Sequence, residues 1–486
     1  MTDPGAFPKP FDEPNSVFTT PRTLREIQMM RCSAAIRAKP GWYRKMTDPD
    51  IVDRWTREAV DQGMTPAQVR YVLAELAHYD RLRDTDTGIE VSAVDGVWQS
   101  DRLIDDTLRS RLAAAVRVLE DVDDTDKDWH PGSDNQVLDL VHPSLFCLVR
   151  GVSPAPESTW TTTMSTPLSR TEVSDKFQWL PTDATINHDG TVTFDSYINN
   201  VDPVAHHELA AVLPELCARM VPLWENVLTD LRRPRPRRII ANPYSWYDDE
   251  PDIDDDDETW ENWYENRQPI IPDAPEFTAP HPIPDTDRVT LRGTRLQVIV
   301  KLANIHLTPD KPHYPGGSWH VEGMVNERIV STAIYYWDSH NITDSRLGFR
   351  TAIDEPDYEQ NDDNGVAAVY GLETDDALNQ ELGAADTPAG RCLGFPNILQ
   401  HRVSPFALAD PTRPGHRKVV VFFLVDPSQR ITSSSDVPPQ QPWADTTTMT
   451  LDQAKAFREE LMAERKYVVD EHNEERYERP FSLCEH

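Results

Sequence analysis

The chain has 486 residues, enough for one large core or several domains, and 48 basic against 82 acidic residues leave a formal net charge of −34. That balance argues against nucleic acid, whose phosphates demand clustered Lys and Arg, and no run approaches the roughly 20 apolar residues of a membrane-spanning helix. Five scattered cysteines without CxxC spacing read as free thiols, and MTDPGAFPKPFDEP at the N-terminus carries no signal-like apolar core, so a cytoplasmic protein is expected.

Residues 1–130 are expected to form a helical N-terminal region. TPRTLREIQMMRCSAAIRAK (20–39), MTPAQVRYVLAELAHYDRL (64–82) and DDTLRSRLAAAVRVLEDV (105–122) each read as a helix. In the second, Thr65, Pro66 and Gln68 stand at the N-cap, N1 and N3 positions, a capping box. From 131 to 243 the pattern turns to a mixed α/β segment. HPSLFCLVRG (142–151), KFQWLP (176–181) and TVTFDSYINN (191–200) read as short strands with their turns, and a long helix over 203–231 holds Pro214 and Pro222. LRRPRPRR (231–238) reads as a solvated turn ahead of a strand.

Residues 244–275 form an acidic aromatic loop. Trp246, Tyr247, Trp260, Trp263 and Tyr264 flank the run Asp254 to Asp257, so docked aromatic ends around a solvated acidic centre make a candidate lid. Residues 276–445 are mostly β, with strands expected over 289–307, 317–324, 330–339, 391–397 and 417–427. Their Pro/Gly turns favour a jelly roll or barrel. Residues 446–486 close the chain as a helix capped by Thr450 and Gln453. The expected fold class is α+β, a jelly-roll core with a helical N-terminal region and flanking helices.

YPGGSWHVEGM (314–324) places His320 and Glu322 two positions apart, on one face if the segment is a strand. A neutral imidazole and a carboxylate can take adjacent corners of a metal ion, and a third ligand then completes a facial triad. His401, in FPNILQHRVSPF, lies where a later strand can return it to that face. Arg417 opens the apolar strand RKVVVFFLV, a place from which it can pair bidentately with a distal carboxylate. Arg413 and Arg402 are its rivals, as His416 and His313 are rivals of the ligand histidines. Lys301 and Asn304, on the strand before the motif, are candidates to line a cosubstrate pocket. Their plainer readings are a snorkelling lysine and a turn-capping asparagine. Tyr335, Tyr336 and Trp337 read as aromatic core.

The order His–x–Glu, distal His, then Arg resembles that of the iron(II)/2-oxoglutarate-dependent dioxygenases, built on a double-stranded β-helix. LQVIVKLANIHLTPDKPHYPGGSWHVEGMVNERIVSTAIYYWDS, SYINN, HPSL and HRKVVVFFLVDP are similar to a large, mostly uncharacterised family common in fungi, over nearly the whole chain. The resemblance implies His320, Glu322 and His401 as Fe(II) ligands and Arg417 as the anchor of the 2-oxoglutarate C5 carboxylate. It implies a small-molecule substrate and O2 as partners, with a C–H bond oxidised and succinate and CO2 released. Glu322 departs from the Asp that most of the superfamily carries there. Two other classes stay open: a metal-dependent jelly-roll enzyme that needs no oxoacid, and a catalytically silent β-helix that binds a basic partner.

Overall fold

The run KVVVFFLV shows no polar alternation because both faces of its strand are buried. Val420, Phe422 and Leu424 pack against Leu216, Met220, Leu223 and Trp224 of the helix His207–Arg232. Val421, Phe423 and Val425 pack the other way, against Leu347, Phe349 and Leu382. Each such side chain stabilises by about 1.5–3 kcal/mol when fully buried, so this strand, Gly415–Val425, is held from two sides. Gly394 lets the helix approach its sheet, since a Cβ there would lie 2.8 Å from Leu223 Cβ.

A computed structural model describes residues 6–12, 17–160, 172–247 and 257–482 and gives a mixed α/β protein with antiparallel sheets. The large sheet runs Glu90–Val91, Trp98–Ser100, Cys392–Pro396, Ile329–His340, Gly415–Val425, Arg295–Leu307, Thr182–Ile186, Val192–Phe194. Val137–Val141 pairs with the far half of Arg295–Leu307. A smaller sheet runs Asn379–Asp386, Arg346–Ala352, Gln400–Val403. His313–Tyr314 and Phe406–Ala407 form a separate two-stranded sheet, and a lone bridge joins His320 to His401 of Gln400–Val403.

The expected helices are present as Leu24–Arg37, Pro66–Leu82, Asp106–Glu120 and Leu451–His472. Both capping boxes, Thr65 with Gln68 and Thr450 with Gln453, are formed. Tyr335, Tyr336 and Trp337 are buried, as core aromatics should be. Among the described residues no helix is long and apolar enough to cross a membrane.

Four expectations need correction. Residues 317–324 do not form a strand. Only His320 is bridged, and the chain bends at Glu322 and Gly323, because Gly316 and Gly323 take left-handed φ of 90° and 72°. A Cβ on Gly316 would stand 2.7 Å from the Val403 carbonyl oxygen, which accounts for the first glycine of the pair before the motif. In 142–151 only Leu148–Val149 is strand, while His142 to Leu145 form a turn whose carbonyls accept from Asn200 Nδ2. LRRPRPRR is not wholly solvated, for Arg238 is buried against Asp95 and Glu75, each at 2.9 Å, and Ile239 and Ile240 extend no strand. The strands Arg346–Ala352 and Asn379–Asp386 and the helix Asp363–Tyr370 were not expected.

Both aromatic ends of the acidic loop are docked. Trp246 is fully buried against Val366, Val369 and Phe481, and Arg267 lies over Tyr247 and Tyr264 at 4.2 and 4.1 Å. The acidic centre, 248–256, and Cys484 lie outside the described residues.

Candidate metal centre

His320 and His401 exchange backbone hydrogen bonds at 3.2 and 3.0 Å, which brings their rings to 4.4 Å between centroids. Glu322 follows the bend rather than the strand face, yet its Oε1 reaches 3.7 Å from His320 Nε2 and 3.3 Å from His401 Nε2. One ligand atom from each of the three residues lies within 4.8 Å of the others. An octahedral ion with bonds of about 2.1 Å sets adjacent ligands about 3 Å apart, so the three fit one ion after a small closure.

His320 Nδ1–H donates to the Ser318 carbonyl at 2.9 Å, which turns Nε2 toward Glu322 and His401, so that an ion bound there would displace the Nε2 proton that Glu322 favours. Burial opposes the charge on His320, but the hydrogen bond and charge of Glu322 outweigh it and raise the imidazole pKa. Burial likewise opposes ionisation of Glu322, and the two imidazoles overcome it, holding the carboxyl well below its usual range. Burial and the neighbouring His320 lower His401, so it stays neutral. A carboxylate beside a neutral imidazole is a ready ligand pair.

Asn397 clamps this loop, and nothing in the sequence pattern singled it out. Its Oδ1 accepts from the Glu322 amide at 2.8 Å, and its Nδ2 donates to the carbonyls of Glu322 and Ile329 at 2.9 and 3.0 Å. The signal available was its place in FPN, four residues before a candidate ligand in a turn.

Arg417 lies in the same core, buried, with its guanidinium 4.6 Å from the Tyr336 ring. Nη2 reaches Thr387 Oγ1 at 3.4 Å, Nε has no partner, and no carboxylate pairs with it among the described residues. Burial lowers its pKa, partly offset by Tyr336 and Tyr314. Its rivals are occupied: Arg413 is exposed and paired with Asp410, and Arg402 covers Trp319 and pairs with Glu381. His416 pairs with Asp338 at 2.7 Å, and His313 is exposed.

Lys301 and Asn304 part company. Strand alternation turns Lys301 to the face it shares with Ile299, between the sheets. Asn304 falls on the opposite face, where its Nδ2 donates to Glu120 Oε1 at 2.6 Å. The structure does not bring Asn304 to His320, Glu322 and His401.

A second cluster of two histidines and a carboxylate was not foreseen: His130, Asp139 and His142. His130 Nδ1 donates to Asp139 Oδ2 at 2.8 Å, and His142 Nδ1 accepts from the Ser144 amide at 3.2 Å. Burial lowers His142 to about 3, and Asp139, despite burial, is held down to about 2 by His142 and His130.

Comparisons with known proteins add a family and little else. Residues 66–446 match a family described as "Protein of unknown function (DUF4246)", and residues 1–58 match "Domain of unknown function DUF4246, N-terminal". No curated protein matches the chain. Among solved structures, a bsmA homolog from Methylobium petroleophilum PM1 is similar at 12% identity over 27% of this chain and 42% of that one, with a TM-score of 0.17. The chain thus spans under half the length of that structure. The Fe(II)/(alpha)ketoglutarate-dependent dioxygenase TqaL matches at 10% identity over 67% and 91% of the two chains, TM-score 0.25. A dioxygenase for auxin oxidation in rice matches at 12% over 80% and 92%, TM-score 0.27. At these TM-scores the likenesses carry no weight for fold or activity.

Proposed function

We propose that this chain, which belongs to the DUF4246 family, is a non-haem iron(II) oxygenase. It uses 2-oxoglutarate and O2 to oxidise a C–H bond of a small molecule, with release of succinate and CO2. One observation carries this reading: His320, Glu322 and His401 converge within 4.8 Å, in a core that also buries an arginine without a carboxylate partner among the described residues. A buried charge without an opposite charge costs several kcal/mol, and an anionic ligand removes that cost.

The strand order supports a double-stranded β-helix. Strand 295–307 lies in the large sheet, 313–314 in the separate pair whose chain is bridged at His320 to the small sheet, 329–340 in the large sheet and 346–352 in the small one. After 379–386, the strands 392–396, 400–403 and 415–425 alternate between the large and the small sheet. Core residues of both sheets, among them Ile299, Tyr336, Phe349, Phe395 and Val421, share one cluster.

Bound iron supplies O2 activation coupled to decarboxylation of the oxoacid. This chain's residues do the rest. His320, Glu322 and His401 hold the ion through three positions and leave the others for ligands. Ser318 fixes the tautomer of His320, Asn397 holds the Glu322 backbone, and Phe395, 4.8 Å from the His401 ring, keeps water from that side. Arg417 takes the distal carboxylate of 2-oxoglutarate. The test is anaerobic reconstitution with Fe(II) followed by exposure to O2. Bound iron near one per chain and 2-oxoglutarate-dependent succinate release are expected; absence of both overturns the reading.

A further inference from the structure

Two cations face the core between the sheets, and one cosubstrate cannot serve both. In the pairing of Arg295–Leu307 with Gly415–Val425, Arg417 stands opposite Ile305 while Lys301 stands opposite Val421. Four residues of strand therefore separate the two positions, about 13 Å at 3.3 Å per residue. A five-carbon diacid spans about half of that.

Arg417 ends among Tyr336, Phe406 and Tyr314. Phe395, 4.8 Å from the His401 ring, shares a cross-strand row with Thr332, Phe423 and Ile299, so Lys301 stands one inward position from that row and Arg417 three, and His142 follows Val141, which lies opposite Leu302. Lys301 is half-buried and has no ion pair among the described residues. Asp139 is its diagonal neighbour, for Asp139 pairs with Ala303, but the Asp139 carboxylate engages His130 instead. His142 adds a donor, since the Ser144 amide occupies Nδ1 and the proton of the neutral ring then sits on Nε2. The turn carrying His142 is held by Asn200, and Ser144 Oγ accepts from Trp179, which stacks on Phe423 of the inner face.

We infer that Lys301, with His142 beside it, forms a second anion subsite next to the metal ligands that receives a carboxylate of the primary substrate. The inference rests on the oxygenase reading and narrows it to acidic substrates. It also reassigns Lys301, which the sequence alone offered to the cosubstrate.

The test uses the full chain loaded with Ni(II), a redox-inert stand-in for iron, and 2-oxoglutarate. The probes are the proteinogenic amino acids and a series of short and medium-chain monocarboxylates, each beside its carboxamide, followed by calorimetry. The best acids should bind the wild type about ten-fold or more tighter than their amides. Lys301→Met should abolish that preference while Ni(II) and 2-oxoglutarate affinities stay within about two-fold. Equal binding of acid and amide, or of no acid at all, overturns the subsite. So does an unchanged preference in Lys301→Met, and so does selective loss of 2-oxoglutarate, which would make Lys301 the oxoacid anchor. Failure of the wild type to bind Ni(II) or 2-oxoglutarate strikes the oxygenase reading instead, and repeating the acid–amide series without them still decides the subsite.

Discussion

Two clusters in this molecule hold two histidines and a carboxylate, and they differ in where their protons sit. At His320, Glu322 and His401 a backbone carbonyl takes the Nδ1–H of His320, so in the neutral ring it is Nε2 that offers a lone pair. At His130, Asp139 and His142 a backbone amide donates to Nδ1 of His142, so its Nε2 carries the proton, and Asp139 already accepts from His130. Composition is alike, and both sets gather one ligand atom per residue within 4.8 Å; the ring nitrogen left facing the cluster favours an ion in one and a hydrogen-bond acceptor in the other. What a main-chain group does at the far ring nitrogen decides which.

The strongest way to break that contrast is to count metal. His320→Ala or His401→Ala should lower divalent-metal affinity by at least ~100-fold, beyond the usual cost of losing a ligand's outer partner. Asp139→Asn and His130→Gln should leave metal content unchanged by elemental analysis. A tightly held second equivalent that disappears with Asp139→Asn would make the clusters equivalent.

Arg417→Met comes next. Losing a charge-assisted pair of ~2–5 kcal/mol should weaken 2-oxoglutarate roughly 30-fold or more in anaerobic titration, with metal binding retained. The same change should stabilise the ligand-free protein by ~1–3 kcal/mol in urea, because it removes a buried cation without an opposite charge. A variant that is destabilised and still binds the oxoacid would assign Arg417 to packing.

Asn397→Ala should act on the first cluster at one remove. Metal affinity is expected to fall ~10–100-fold, less than for a lost ligand. The buried clamp makes three hydrogen bonds to Glu322 and Ile329, and its loss should cost ~2–3 kcal/mol of stability. Unchanged metal affinity would mean that the bend at Glu322 holds itself.

The smallest effect belongs to the second cluster. Burial, with Lys301, His130 and Arg458 nearby, depresses His142 to about 3 against the pull of Asp139. The folded state therefore keeps this ring neutral while the unfolded chain protonates it near 6.5. Its contribution is complete above pH ~6.5 and is lost as pH falls toward 3, at up to ~1.4 kcal/mol per pH unit. His142→Asn keeps an acceptor for the Ser144 amide and should flatten the stability profile between pH 6.5 and 5 by about one proton. Asp139, held down to about 2, changes stability only below pH ~4 and does not overlap that window. An unaltered slope would place the acid sensitivity elsewhere, for instance at His306, lowered by burial to about 4.

Local chemistry made much of this protein legible in its sequence. Thr65 with Gln68 and Thr450 with Gln453 mark helix starts because a cap needs only four consecutive residues. The apolar runs at 295–307, 329–340 and 415–425 identify strands buried on both faces. The chemistry of imidazole, carboxylate and guanidinium, together with the family resemblance, nominated His320, Glu322, His401 and Arg417. What stayed hidden depended on distant partners. RLGFRTA and NQELGAAD carry weak β signals, and they become strands only by pairing with each other and with Gln400–Val403. A strand apolar on both faces does not declare which face looks inward. Lys301 and Asn304 were therefore equal candidates until helix His207–Arg232 covered one face of the large sheet and the second sheet covered the other. The same holds for the histidine clusters: the residue types are local, but the tautomer is set by whichever backbone group the fold delivers to the ring.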